Sequence, residues 1–398
     1  MRYSAQKFFL VLFAAALVGL PVLAADFEAA VANFKSGKYV EAAAQFQEFV
    51  DQSPTYDYGY YMLGLSFVQM KKLDEAEDSF RKAIGLNADK FEYHHGLATA
   101  CYKRKQYDKA VAALRTAEGL AGDQRTQYSL YSLRGFAYAD LKKWGDAIED
   151  LEKARKINSN GPILDRLGQA YGELGHNDKA LPVLREAVKV TPSNTANLAR
   201  LSTSLIDMGA EAPSEAKKAA YYKEAVDVAE RYQHLKPSNF DAHNLVGRAA
   251  LGAKDYSKAE AAFTRVLEQK PNYCYAMINL GKVYTVQKQW AEAEKTLRRA
   301  ETCAPRMAVI YESLGFVVQK QKRLNEAVDL YKKALSIKSS ASTQKMLDVA
   351  LENIRIADEN RKMDATEAET EAAIIAERKR QEEEERKRQE YEEKTRDE

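Results

Sequence analysis

The sequence predicts an all-α chain, a solenoid of helical hairpins stacked one on the next. Three observations carry that prediction. Ala stands before an apolar helical run at Ala42, Ala76, Ala110, Ala147, Ala180, Ala225, Ala259, Ala293 and Ala327, and several successive gaps are 34 residues. Gly keeps a fixed offset within the period, at Gly64, Gly135, Gly168, Gly247, Gly281 and Gly315. Of nine prolines, Pro54, Pro192, Pro237, Pro271 and Pro305 fall at one late position of the period. With 398 residues the chain exceeds one compact core, and a fixed period marks a repeat array.

Composition narrows the function classes. Sixty Lys and Arg balance 58 Asp and Glu, a net charge of +2 that argues against a nucleic-acid partner, which needs a clustered basic face. Residues 1–24 read as a signal peptide: Arg2 and Lys7 give a positive start, and Phe8 to Leu20 form an apolar core. Pro21 interrupts that run ahead of Val22, Leu23 and Ala24, and cleavage is expected after Ala24 or Ala25. The competing reading is an uncleaved membrane anchor, because Phe8 to Ala25 approaches the lower length limit of a span. Cleavage makes the protein exported, periplasmic or secreted.

Nine copies of the period begin near residues 23, 57, 91, 128, 161, 195, 240, 274 and 308. The clearest runs CYAMINLGKVYTVQKQWAEAEKTLRRAETCAPRM, with Leu280, Gly281, Tyr284, Trp290, Ala293, Ala300 and Pro305 at its marked positions. In this spacing the chain resembles the tetratricopeptide repeat family. The resemblance implies a right-handed superhelical solenoid over residues 25–340, each repeat being a helix A and a helix B. Gly at position 8 and Ala at position 20 let the two helices approach, and large residues at positions 4, 7, 11 and 24 fill the space between hairpins. Proline at position 32 ends helix B.

Three copies depart from the pattern. The first lacks the position-8 Gly and overlaps the cleavage site, so its helix A is expected to be short. An AGDQR segment lengthens the turn before the fourth copy. The sixth carries about eleven extra residues around GAEAPSEAKKAAYY, expected to lengthen helix B at its start, with Pro213 and Ser214 as the helix start. Pro182 falls in the first turns of the fifth helix B, where proline is tolerated or kinks the helix mildly.

Residues 341–357 read as a capping helix, with Leu347, Ala350, Leu351 and Ile354 on one stripe. From 357 to 398 the composition turns to 16 acidic and 10 basic residues. The tail 358–398 pairs opposite charges four residues apart and is expected to be helical or partly disordered. Without an apolar seam in the charged run, a coiled coil is the weaker reading.

No sequence signature of a zinc protease, serine hydrolase, dinucleotide site or nucleoside-triphosphate loop occurs, so no catalytic residue, metal or cofactor is assigned. The repeats leave no room for a catalytic domain between Asp26 and Ala357. His94 falls at packing position 4, and adjacent His95 points elsewhere. Cys101 takes packing position 11. Cys274 opens helix A of the eighth copy and Cys303 lies near the end of its helix B, at the same end of the hairpin. A disulfide between them is conceivable in an oxidising compartment.

The family resemblance also places the partner surface. Positions 2, 5, 9, 12 and 13 of helix A line a concave face, which here holds Tyr58, Tyr61, Leu65, Val68, His95, Tyr102 and Phe136. An acidic stretch follows, with Asp140, Asp165, Glu173 and Asp207, and then Asn244, Arg248 and Lys282 turn it basic. The aromatic residues suggest a groove for a protein segment, because the repeat does not require them there for packing. The expected function is therefore a non-enzymatic scaffold for other proteins or peptides, with no small-molecule substrate. A chaperone-like holder of unfolded or envelope clients is the alternative.

Overall fold

Helices of 10–21 residues joined by tight turns, followed by one of 54 residues, account for almost all of the described residues. A computed structural model describes the backbone of residues 20–394 and the side chains of residues 26–389. Residues 1–19 of the expected signal peptide lie outside the described residues. Among the described residues there are nineteen α-helices and no strand. They form two compact units, one ending at Glu211 and the other beginning at Ala212.

The first unit holds five hairpins and one further helix. The hairpins are α1 (Leu20–Lys35) with α2 (Tyr39–Gln52), α3 (Asp57–Gln69) with α4 (Leu73–Leu86), and α5 (Phe91–Lys103) with α6 (Tyr107–Thr116). Next come α7 (Gln124–Asp140) with α8 (Trp144–Ile157), α9 (Gly161–Glu173) with α10 (Asn177–Val190), and α11 (Thr195–Glu211). The second unit opens with α12 (Glu215–Leu235) and continues through α13 (Phe240–Gly252) with α14 (Tyr256–Gln269), and α15 (Cys274–Val286) with α16 (Trp290–Cys303). It ends with α17 (Ala308–Lys320), α18 (Leu324–Ile337) and the long α19 (Ala341–Lys394).

One packing device recurs in six of the hairpins. The position-24 side chain of helix B lies flat against the position-8 Gly of helix A, as Phe263 does on Gly247 and Leu297 on Gly281. A Cβ on those glycines would stand 2.7 Å and 2.6 Å from the facing side chain, inside any tolerable contact. In the first copy Ala30 fills that position and is fully buried. The position-20 alanines, from Ala42 to Ala327, are likewise fully buried.

The A–B turns share a second device. Lys71, Lys105, Lys142, Lys254, Lys288 and Lys322 have φ between 58° and 66°, the left-handed region, and Gly37 and Gly175 stand there in two other copies. The next residue donates its N–H back across the turn, as Lys72 does to the Phe67 carbonyl at 2.9 Å and Gln289 to Tyr284 at 2.9 Å. This satisfies carbonyls that the end of helix A would otherwise leave unpaired.

The departures resolve differently from expectation. Helix α1 is not short: its described part runs sixteen residues, from Leu20 to Lys35. The AGDQR segment does not simply lengthen a turn. It follows a 3-10 turn at Glu118–Leu120 and supplies Asp123 as the cap of α7, so α7 begins four residues before 128. Asp123 accepts from the Thr126 N–H at 2.7 Å while the Thr126 hydroxyl accepts from the Asp123 N–H at 3.2 Å. The sixth-copy insertion lengthens both helices, to 17 residues in α11 and 21 in α12. Ser214 caps α12 as expected, accepting from Lys217 N–H. Helix α10 runs through Pro182 without ending.

Helix α19 begins as the helix A of a further copy and has no helix B to meet. Thr343, Leu347 and Ala350 pack inward as buried residues. The face that a helix B would cover carries Gln344 and Asp348, which hydrogen-bond to each other at 2.9 Å, and the exposed Leu351, so that face is largely polar. The helix then continues unbroken to Lys394, and beyond Ala357 every described side chain is exposed. No helix among the described residues is long and apolar enough to cross a membrane.

Candidate functional site on the helix A face

Helix A presents three kinds of residue: inward packing groups, groups against its own helix B, and a third stripe that the hairpin does not consume. The predicted partner residues divide among these. In the first unit most of the aromatic ones are engaged. Tyr61 lies 5.1 Å from Tyr93 and 5.9 Å from Phe80 between ring centroids, and Tyr58 lies 5.7 Å from Tyr61 and 5.9 Å from Phe27. Leu65 packs on the cores of two neighbouring hairpins, and Val68 is itself core, 7% exposed. The expectation that these side chains are free of packing duty is therefore corrected. Large rings three residues apart on a helix reach each other and the next helix A.

His95 stacks on Phe91 at 5.5 Å. Burial holds its imidazole below the usual histidine range, against the opposing pull of Glu92. His94 is buried, with Nε2 2.8 Å from the Ala88 carbonyl oxygen, so this nitrogen carries the proton. The Tyr102 hydroxyl donates to Asp140 at 2.6 Å, and burial with that carboxylate pushes its pKa up. Phe136 remains partly exposed.

The acidic stretch is also corrected. Asp140 pairs with Arg166 at 3.0 Å and Asp165 with Arg200 at 2.7 Å, each carboxylate meeting an arginine from the following helix A. Charges that looked unbalanced along the sequence are neutralised across the stack. Glu173 is exposed and Asp207 half-buried.

The second unit keeps more of its stripe available. Asn244, Arg248 and Lys282 are half-exposed on α13 and α15. The Asn244 Oδ1 is buried with no hydrogen-bond partner. Burial holds the Lys282 amine below the usual lysine range, and Glu312 of α17 is the acidic group opposing that shift. Glu312 in turn accepts from the Thr343 hydroxyl of α19. Phe316 sits at the position of α17 that Arg248 and Lys282 hold on their helices, and the same spacing rule applied to the ninth copy finds it. Phe316, Lys320, Met346 and Val349 line a shallow cavity of about 300 Å³ between α17 and α19. Met346 and Val349 lie beyond the ninth copy, where repeat spacing gave no register.

The cysteines come together. Cys274 and Cys303 form a disulfide with Cα atoms 5.8 Å apart, closing the open end of the α15–α16 hairpin. Cys101 is buried and unbonded, and burial raises its thiol pKa. Among the described residues no group of three His, Cys, Asp or Glu side chains could hold a metal ion.

Sequence models described as tetratricopeptide repeat match residues 61–125, 162–194, 214–273, 250–306 and 307–340. The chain is 32% identical over 114 residues to heat shock protein STI1 of Saccharomyces cerevisiae, covering 28% of this chain and 18% of that protein. It is 25% identical over 305 residues to BBSome complex member BBS4 of Bos taurus, covering 76% of this chain and 55% of that protein. The match thus spans less than a fifth of the first relative and little more than half of the second. Among solved structures, a tetratricopeptide repeat protein from Parabacteroides merdae aligns with a TM-score of 0.46 at 16% identity, over 66% of this chain and 98% of that one.

Proposed function

The chain belongs to the tetratricopeptide repeat family, and from that premise we propose that it is an exported, non-enzymatic scaffold that holds segments of other proteins on its helix A faces. The observation that carries the reading is the stripe of the second unit. There a buried carbonyl oxygen on Asn244 lacks a donor and the Lys282 ammonium is poorly solvated. Polar groups kept in that state cost stability unless something meets them. Arg248 and Phe316 add charge and an apolar ring on the same stripe, which suits a segment carrying both acidic and apolar side chains.

The chaperone-like alternative draws on the aromatic residues of the first unit. Tyr58, Tyr61 and Tyr102 spend their surface on one another and on Asp140, which favours the scaffold reading. Export rests on the signal sequence read at residues 1–24, and the Cys274–Cys303 bond suits an oxidising compartment. Cleavage after Ala25 would leave Asp26 as the first residue, and Phe27, Ala30 and Phe34 would still pack on α2.

Photocrosslinking tests the face. A crosslinker placed singly at Arg248, Lys282 or Phe316 is expected to trap partner protein in cells, while one at Lys82 or Glu149 on helix B is not. Equal yields from both sets would remove the helix A face from consideration. Membrane fractionation of the same cells checks export: a soluble periplasmic or secreted pool, shortened at its N-terminus, is the expected outcome.

A further inference from the structure

The part of α19 beyond Ala357 packs on nothing, yet it continues as helix to Lys394, about 55 Å at 1.5 Å per residue. A helix of that length in water needs a source of stability other than tertiary burial. Two sources are available: a partner helix along an apolar seam, or its own side chains.

A seam would need apolar residues every three and four positions. The row that starts through Met346, Val349 and Ile356 still meets Met363 and Ile374, but it is interrupted by Asn353, Asn360, Glu367, Thr370 and Glu377, and from Gln381 to Gln389 the helix carries no apolar residue at all. Carboxylates facing carboxylates across such a seam would repel an identical helix. The side chains of this helix do pair with each other. Arg355 bridges Glu352 at 2.6 Å and Glu359 at 2.7 Å, Arg361 meets Asp358, and Lys387 meets Glu383 at 3.0 Å. From residue 378 the spacing is systematic: Arg378, Glu382 and Arg386 form one row of alternating sign, Lys379, Glu383 and Lys387 a second, and Arg380, Glu384 and Arg388 a third. Each charge in the middle of these three rows has an opposite charge one turn above and one turn below, while the fourth row holds Glu385 between Gln381 and Gln389.

We infer that α19 beyond Ala357 is a self-supporting single helix, a stiff arm held by its own charge rows and not by a partner. Its effect is to carry its far end about 55 Å away from the cap, with the orientation fixed by the continuous backbone.

The test compares the full chain with a chain stopped after Ala357, which keeps the buried residues Leu347 and Ala350. The full chain is expected to show extra helical circular dichroism equal to roughly 37 residues at full helicity. Both chains should sediment as monomers up to about 100 µM. The triple variant Glu382→Lys, Glu383→Lys, Glu384→Lys places like charges one turn apart. It is expected to lose about half of that extra signal, with the thermal transition of the repeats unmoved. Self-association of the full chain that disappears on truncation would overturn the inference in favour of a paired helix. An absent extra signal, or one the triple variant leaves intact, would overturn it as well.

Discussion

Arg134 stands at position 7 of the fourth copy, where Leu63, Leu167, Leu280 and Leu314 stand in others. Its guanidinium is buried and gives two hydrogen bonds to Asp150, at 2.6 and 2.9 Å, and two to Glu118, at 2.9 and 3.0 Å. Removing one side leaves a buried charge unmatched, so Arg134→Ala should cost about 3–5 kcal/mol in urea unfolding. Replacing both Arg134 and Asp150 by Leu should restore most of that, which separates the burial of charge from loss of shape. The sequence showed an Arg where a Leu belongs, and an Asp sixteen residues on. Only packing shows that they face each other. A second residue-scale consequence concerns acid. Hydrogen bonding from Arg134 holds the Glu118 carboxyl below its usual range, so its stabilising effect is present above about pH 4.5 and is lost as pH falls through the depressed value. The half-buried His95 is also depressed, so the unfolded chain takes up its proton first, and stability declines as pH drops below about 6.5. Thermal melts between pH 7 and pH 5 should show this early decline, and His95→Gln should flatten it.

At the scale of elements, the eighth hairpin is the one tied covalently. The Cys274–Cys303 bond closes a separation of 29 residues, and restricting an unfolded loop of that size is worth about 3–4 kcal/mol. Reductant, or Cys303→Ser, should lower the unfolding midpoint of the chain, and reductant should leave the midpoint of the Cys303→Ser chain unmoved. Sequence could place both cysteines at one end of a hairpin but not aim their Cβ atoms. The insertion shows a similar limit. Its Pro213 and Ser214 were legible as a helix start, whereas the lengthening of α11 was not, because Gly209 reads as a helix end and the helix runs through it to Glu211. What the longer α12 gains is contact with the next turn: the Tyr222 ring lies against Gly252, and Glu215 meets Lys254 at 3.2 Å. A Cβ at Gly252 would fall 2.1 Å from that ring, so Gly252→Ala should destabilise the second unit by about 1–3 kcal/mol, measurable by chemical denaturation.

For the whole molecule, the repeat was legible because each copy obeys the same spatial requirement. Gly247 and Gly281 must be glycine for one reason, and a reason repeated every 34 residues becomes visible without any structure. The partner face was less legible. Position rules name which residues leave the hairpin core, yet they do not say what those residues meet one repeat later. Asp165 looked like a free acid until Arg200 of the next helix A lay beside it, 35 residues on. Tyr61 looked like an offered ring until Tyr93 covered it, 32 residues on. Contacts between copies follow no rule internal to a copy, and these are the contacts that decide what remains for a partner.

The six lysines at the A–B turns have a use outside binding. An L-residue at φ near 60° sits about 1–2 kcal/mol above its relaxed state, and glycine does not. Each Lys→Gly replacement should therefore raise stability by about 0.5–1 kcal/mol, net of the extra freedom glycine has when unfolded. Because the sites fall singly in six of the hairpins and touch neither the helix A stripe nor the disulfide, they work as separate trim screws. An engineer could stiffen the array at a chosen repeat, and ask which stretch of it must yield for the protein to work.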